Sequence, residues 1–381
     1  MKVVIAPDKF KGSLSAAQAA EAMSRGVLAA CAGAQVDRVP MADGGEGTVD
    51  ALVSATGGRF HDATVTGPLG EPVRARFGLL GDGRTAVIEM AAASGLVLVP
   101  PRQRDPRKTS TRGTGELLLA ALETGARSVI LGIGGSATND GGAGMAQALG
   151  YGLLDDQGRD LEPGGGALGR LKRIDSSGRN SLLDGLDLSI ACDVDNPLCG
   201  PDGASAVYGP QKGATPEMVK ELDQHLDHFS RIVERDLGIA IAQLKGAGAA
   251  GGLGGGLVAF AGGRLKRGIE LVIEAVGLER RLKNADLCLT GEGSLDHSSG
   301  FGKTAVGVSR LARGLGCPTI ALAGTIGPGA LATLELGLAA YFSICPGPIS
   351  LVEAINRASE LLEQTTRQVV AAFVAGRRVE T

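Results

Sequence analysis

The feature that most constrains this fold is a repeated order of events: a short β-branched run ends in a turn of Gly, Pro or Asp, and the turn opens into a helical pattern. Val3 to Ala6 is such a run, closed by Pro7-Asp8, and Ser13 to Cys31 follows with helical spacing and Ser13 or Ser15 as N-cap. A second unit has a strand around Val36 to Pro40, the turn Ala42 to Thr48 and a helix to about Ala55. The alternation returns near Ala285, with strands at Asp286 to Thr290, Pro318 to Gly324 and Tyr341 to Cys345, and helices at Ala305 to Leu315 and from about Ser350. A strand that returns through a helix pairs in parallel with its neighbour. The expected fold is therefore α/β, with a doubly wound, Rossmann-like parallel sheet.

The middle of the chain reads differently. Arg59 to Ala91 alternates strands with the turn signals Pro68-Leu69-Gly70 and Gly81-Asp82-Gly83, which predicts an antiparallel meander. Pro100 to Arg112 carries three prolines and five basic residues and reads as a surface loop. A helix (Gly115 to Thr124), a strand (Ser128 to Ile133), a strand (Leu186 to Val194) and helices from Pro216 to Asp236 follow. Gly246 to Gly256 holds seven glycines among small apolar residues and reads as a flexible or closely packed crossing. At 381 residues the chain exceeds what one core usually serves. The expectation is a discontinuous Rossmann-like domain, 1–60 plus 285–381, with 61–284 inserted as a second α/β domain. In such sheets ligands lie at the carboxyl ends of the strands.

Composition narrows the function. Glycine is frequent, 61 residues, but there is no G-X-Y period and 44% of the chain is hydrophobic, which excludes collagen and disorder. Aromatics are 3% with no Trp, and the net charge is -3, so neither base stacking nor a basic surface is on offer to nucleic acid. No run of about 18 apolar residues exists to span a membrane. The N-terminal apolar run is too short for a signal segment, so a cytoplasmic protein is expected. Six scattered cysteines form no Cys-x-x-Cys pair and read as reduced thiols. His225 and His228 sit three apart on an expected helix; a solvated face is the preferred reading over zinc, which would need further ligands.

Five loops set charged or hydroxyl residues among glycines directly after strands. Pro7 to Ser13 places Lys9 and Lys11 at a helix mouth, where ammonium groups and unpaired N–H groups favour an anion. Asp43-Gly44-Gly45-Glu46-Gly47-Thr48 puts two carboxylates beside glycines that let a ligand approach the main chain, although helix capping is the commoner use. Gly132 to Gly142 offers Gly134, Gly135, Ser136 and Thr138 to phosphate oxygens, with Asn139 and Asp140 suited to Mg²⁺ or to capping. Asp193, Asp195, Asn196 and Lys212 lie in one connection after the strand ending near Val194 and supply base, metal-ligand and cation types. Thr290 to Thr304 contains Glu292, Asp296 and Gly302-Lys303-Thr304. The last run resembles the end of a P-loop, but His297 stands where its first Gly is required. Acids, lysines and glycines together on strand-end loops, with no Cys/His nucleophile dyad, point to phosphoryl transfer.

At these same residues the sequence resembles the bacterial class I glycerate kinases, through APDKFKGSLSA (6–16), ADGGEGT (42–48), GIGGSATNDGGAGM (132–145), CDVDNPLCGPDGASAVYGPQKGA (192–214) and TGEGSLDHSSGFGKTAVGVS (290–309). The resemblance implies ATP-dependent phosphorylation of D-glycerate to 2-phosphoglycerate, with Mg²⁺, in a Rossmann-like domain carrying an inserted one. On that reading Asp193 accepts the proton of the attacking hydroxyl, with Asp43 next in line. Lys9, Lys11, Asn196 and Lys212 serve the substrate; Gly134, Gly135, Ser136, Thr138 and Lys303 serve the nucleotide; Glu292 and Asp296 serve the metal. D-glycerate and ATP are the expected partners, a homo-oligomer being compatible. Lys9, Asp195 and His297 depart from the family pattern, where Ser, Thr and Gln are usual. Preference among small hydroxy acids is thus open, and the alternatives are a kinase for another hydroxy or sugar acid and a non-catalytic phosphometabolite sensor.

Overall fold

The computed structural model describes residues 1–297 and 303–377. Along the chain the strands are β1 (Lys2–Ile5), β2 (Gln35–Arg38), β3 (Arg59–Thr66), β4 (Pro72–Leu79), β5 (Thr85–Glu89), β6 (Ser128–Gly132), β7 (Gly152–Leu154), β8 (Arg173–Asp175), β9 (Asp187–Ala191), β10 (Arg264–Lys266), β11 (Leu287–Leu295), β12 (Thr319–Ile326) and β13 (Ala340–Ser343). Two compact units form: Met1–Asp43, Asp50–Gly57 and Ile269–Thr381 make the first, and Gly44–Val49 with Gly58–Gly268 the second. The chain rejoins the first unit at Ile269 rather than near 285.

The first unit is a five-stranded sheet in the order β13-β12-β11-β1-β2, parallel throughout. Val3 pairs with Leu287, so residues almost the whole chain apart are neighbours. The helix Ala16–Ala30 starts where the sequence places it: Ser15 Oγ accepts the Gln18 N–H while Gln18 Oε1 accepts the Ser15 N–H, a reciprocal capping box. That helix crosses the C-terminal helix Ala358–Arg377 at Gly26, where a methyl group would press on Thr366 and the Glu363 carbonyl. Val3, Ile5, Met23, Val27, Leu289, Leu362 and Val370 build the core beneath.

The second unit has a six-stranded sheet, order β10-β9-β6-β5-β4-β3, plus the hairpin pair β7-β8. The expected meander is present, β3 to β4 and β4 to β5 being antiparallel, while β5, β6, β9 and β10 run parallel. The Gly246 to Gly256 segment is the packed crossing rather than a linker. Added methyl groups at Gly251 and Gly256 would collide with the carbonyls of Thr138 and Gly141, so small residues here let one backbone lie directly against the loop after β6.

Three local expectations change. The Pro100 to Arg112 loop is not all surface, since Thr109, Ser110 and Thr111 are buried. His225 and His228 are not on a solvated face: they are part-buried and hydrogen-bond to the carbonyls of Gly165 and Leu171, fixing the turn that packs on their helix. The strand after Ala285 runs on to Leu295, carrying Glu292 inside the sheet rather than in a loop.

Candidate active site

In the first unit the strand order fixes where a ligand crevice falls. The chain leaves β1 toward β2 on one side and leaves β11 toward β12 on the other, so the direction of winding reverses between β1 and β11. At such a switch point the two outgoing loops part and leave a crevice at the carboxyl ends. The loop after β1 holds Asp8, Lys9 and Lys11. Asp8 donates its N–H to the Gly291 carbonyl at 2.8 Å, which ties the loop to β11. Phe10 plugs the core below, and a side chain at Gly293 would press on the Lys11 main chain, so the lysine-bearing turn lies against β11.

Asp8 is mostly enclosed. Its Oδ1 accepts the Lys9 N–H at 2.6 Å, and its Oδ2 accepts the hydroxyl of Thr304 at 2.6 Å, from the first residue of the helix Thr304–Gly314. Burial pushes its carboxyl up to about 6; the Thr304 hydrogen bond opposes this and the nearby Asp43 carboxylate adds to it. Glu292, 8% exposed, faces Lys303 with Oε2 to Nζ at 3.8 Å. The Asp296 carboxylate accepts the Ser294 hydroxyl at 2.9 Å. The first unit thus connects Asp8, Lys9, Asp43, Glu292, Lys303 and Thr304 at its switch point, with the Lys11 main chain on the same turn, while Asp296 follows the end of β11 bonded to Ser294. Gly302 of the Gly302-Lys303-Thr304 run lies outside the described residues, as do 298–301.

In the second unit the focus is the loop after β6. Gly44 and Gly45 reach this end of the sheet: a methyl group at Gly44 (φ +91°) would strike Ala191 and Gly268, and one at Gly132 the Gly44 carbonyl. Gly135 takes φ +73°, open to glycine and strained for other residues. Lys212 is 1% exposed, yet its ammonium donates to Ser136 Oγ at 2.7 Å and to the Thr138 carbonyl at 2.6 Å. Burial pulls it down to about 7, the Asp140 charge partly opposing. A buried cation is clamped onto the Gly134 to Thr138 turn.

Asp140 resolves its two readings in favour of structure. Its carboxylate is fully enclosed and accepts the N–H groups of Thr111, Gly142 and Gly144 and the Thr111 hydroxyl. Burial raises its pKa against those four donors. It holds the loop and the start of the helix Ala143–Ala148. Thr138 is buried at 0% exposure, and its carbonyl rather than its hydroxyl is used, by Lys212. Asn196 has its amide taken up locally, donating to the Asp202 carbonyl at 2.8 Å and accepting the Tyr208 hydroxyl at 2.7 Å. Asp193 is exposed; its Oδ1 accepts the Gly268 N–H at 3.0 Å, and its carbonyl accepts Arg267. Arg267 also faces Asp195 at 3.6 Å.

The structure adds the Asp8–Thr304 pair to the residues that the sequence nominates, and an acid directly after a strand and beside Lys9 was a signal for the first. Among the described residues no group of three or more His, Cys, Asp or Glu side chains forms a metal cage, and all six cysteines are free. No helix there is long and apolar enough to cross a membrane.

Residues 3–374 match the glycerate kinase family. The chain is 55% identical over 373 residues to a glycerate kinase of Bacillus subtilis (strain 168), covering 98% of each chain. It is 48% identical over 378 residues to a glycerate 2-kinase of Escherichia coli (strain K12), covering 99% of each. Its fold superposes with a TM-score of 0.92 on a crystal structure of a protein assigned as glycerate kinase 2 from Salmonella typhimurium LT2, at 49% identity and 99% coverage of both chains.

Proposed function

The chain belongs to the glycerate kinase family, and from that premise we propose that it transfers the γ-phosphoryl group of ATP to the 2-hydroxyl of D-glycerate, giving 2-phosphoglycerate and ADP. The observation that carries this reading is the match over nearly the whole chain to relatives named for that activity. The loops support it chemically, because phosphoryl transfer is mostly positioning and charge balance. Lys9 and Lys11 supply cations for the glycerate carboxylate. Gly134, Gly135 and Ser136, with Lys212 behind them, supply N–H groups, a hydroxyl and a charge for phosphate oxygens. Lys303, at the start of a helix, is a further phosphate cation, and Asp193 is an accessible carboxylate able to orient the substrate through a hydrogen bond.

Mg²⁺ fits the donor set of the first unit. It takes oxygen ligands and often uses only one or two carboxylates together with substrate phosphates, so the lack of a three-acid cage among the described residues is no obstacle. Glu292 and Asp296 are the carboxylates proposed to hold it, and when bound it neutralises charge on the nucleotide phosphates. A cytoplasmic location, where ATP is available, accords with the free cysteines.

The test is ADP release by the purified full chain with MgATP and a panel of acids, followed by phosphorus NMR of the product. The expected result is turnover that requires D-glycerate and a phosphorus resonance coupled to the C2 proton. Turnover with another hydroxy or sugar acid but not glycerate would shift the substrate; ligand binding without turnover would make the chain a sensor.

A further inference from the structure

Both acids the sequence nominates for the hydroxyl proton leave a difficulty. Asp193 is exposed and its Oδ1 is already taken by the Gly268 N–H, so among the described residues nothing encloses it around a substrate hydroxyl. Asp43 neighbours a second acid that is mostly enclosed. That second acid, Asp8, sits at the switch point of the first unit's sheet, in the loop leaving β1 and bonded to the first residue of the helix that follows β11.

We infer that Asp8 is the general base, taking the proton of the attacking hydroxyl through whichever carboxylate oxygen the substrate reaches. The inference rests on the glycerate kinase reading. Each Asp8 oxygen accepts one hydrogen bond, from Lys9 N–H and from Thr304 Oγ1. A carboxylate offers about four lone-pair directions, so both oxygens retain acceptor capacity for a substrate hydroxyl. The two bonds also lock the rotamer, which a base must have before it can act on a proton within hydrogen-bond reach. Lys9 and Lys11 on the same loop supply the charge that a hydroxy acid's carboxylate needs. In the step, the substrate O–H bond breaks and its proton passes to Asp8, while the hydroxyl oxygen bonds to the γ-phosphorus. The bond from that phosphorus to the bridging oxygen breaks, and ADP leaves with its electron pair.

Burial holds the Asp8 carboxyl at about 6, half protonated just below neutrality, as suits a base working near pH 7. The charged groups around it are Asp43, which raises it, and Lys9, which lowers it, with the Lys303–Glu292 pair next to Thr304.

The test is the pH dependence of kcat for the full chain at saturating MgATP and D-glycerate. Wild type should lose activity along an acid limb centred near 6. Asp8→Asn should lower kcat by roughly 10²–10⁴-fold and abolish that limb. Because Asp8→Asn also alters a bond to Thr304, two further variants separate chemistry from structure. Thr304→Val removes a donor that favours the charged form and should move the limb up by about half a unit to one unit. Asp43→Asn removes a repelling charge and should move it down, whereas Asp193→Asn should leave it in place. A limb that ignores Thr304→Val, or that vanishes in Asp43→Asn or Asp193→Asn, overturns the assignment to Asp8. A wild-type chain with no glycerate-dependent turnover overturns the kinase reading itself.

Discussion

Replacing Lys212 by Met tests whether a charge has been buried at a cost to the fold. The side chain is 1% exposed, and burial moves its pKa from 10.5 to about 7. That displacement corresponds to about 5 kcal/mol of penalty on the charged form, at about 1.4 kcal/mol per unit. Below pH 7 both folded and unfolded chains hold the proton, and the whole penalty falls on the folded state. Between about 7 and 10.5 the unfolded chain holds it and the folded chain does not, so stability from this group rises with pH. Met keeps the length of the side chain and titrates nowhere. Measured by urea unfolding at pH 7 and 9.5, wild type should therefore gain about 3 kcal/mol relative to Lys212→Met, since cysteine and tyrosine titrations are shared and cancel. The variant should also lose kcat/KM for ATP by about 10²-fold or more, because the clamp on Ser136 and Thr138 is gone. Unfolding curves whose difference is the same at both pH values would refute the burial argument, whatever the activity does.

Asp140→Asn should destabilise the second unit by about 3 kcal/mol in urea unfolding, because an amide nitrogen must then face one of the donors that now point at the carboxylate. Gly251→Ala should cost about as much or block folding, since φ is +71° and the new methyl group meets the Thr138 carbonyl; circular dichroism and the yield of folded protein check it. Glu292→Gln and Asp296→Asn should raise the Mg²⁺ concentration for half-maximal activity by about tenfold or more while leaving the thermal midpoint without Mg²⁺ within a few degrees; an unchanged Mg²⁺ requirement would remove them from the metal assignment.

The parallel sheet was legible because its signal is local and repeated: β-branched residues, a turn of Gly and Asp, then 3.6-residue spacing. Ser15, one of two candidate N-caps, and the meander of β3 to β5 are of this kind. What escaped depends on contacts far apart in sequence. The three prolines and five basic residues of Pro100 to Arg112 suggest solvent, and nothing local shows that Thr111 is needed by Asp140 across 29 residues. Asn196 looks like a ligand-binding amide until Asp202 and Tyr208 are seen to occupy it. Lys212 is legible as a candidate cation, but its burial is not, because that burial is created by the loop after β6. Asp8 had a local sign, yet the bond that fixes its carboxylate comes from Thr304, 296 positions away.

Asp8 and Lys212 illustrate one physical device used in opposite directions. Removing water from a carboxyl group raises its pKa and removing it from an ammonium lowers it, so the same burial brings both toward neutrality, to about 6 and about 7. Each is hydrogen-bonded by neutral groups, Asp8 by a hydroxyl and an N–H and Lys212 by a hydroxyl and a carbonyl, with the charges of Lys9 and Asp140 only partly offsetting burial. A sequence selected for stability alone would replace both, as the cost of burying a charge exceeds what neutral hydrogen-bond partners return. Their retention makes sense for a reaction whose substrates bring the missing charges and protons. An acid near 6 can hold the proton a hydroxyl gives up and release it at neutral pH. A lysine near 7 becomes fully charged when a phosphate oxygen arrives, so binding an anion there takes up protons. The latter is measurable without turnover: calorimetric titration with ATP in two buffers of different ionisation enthalpy should give different apparent heats at pH 7.5, and Lys212→Met should abolish that difference. Equal heats for wild type would mean that Lys212 keeps its charge throughout and only props the loop.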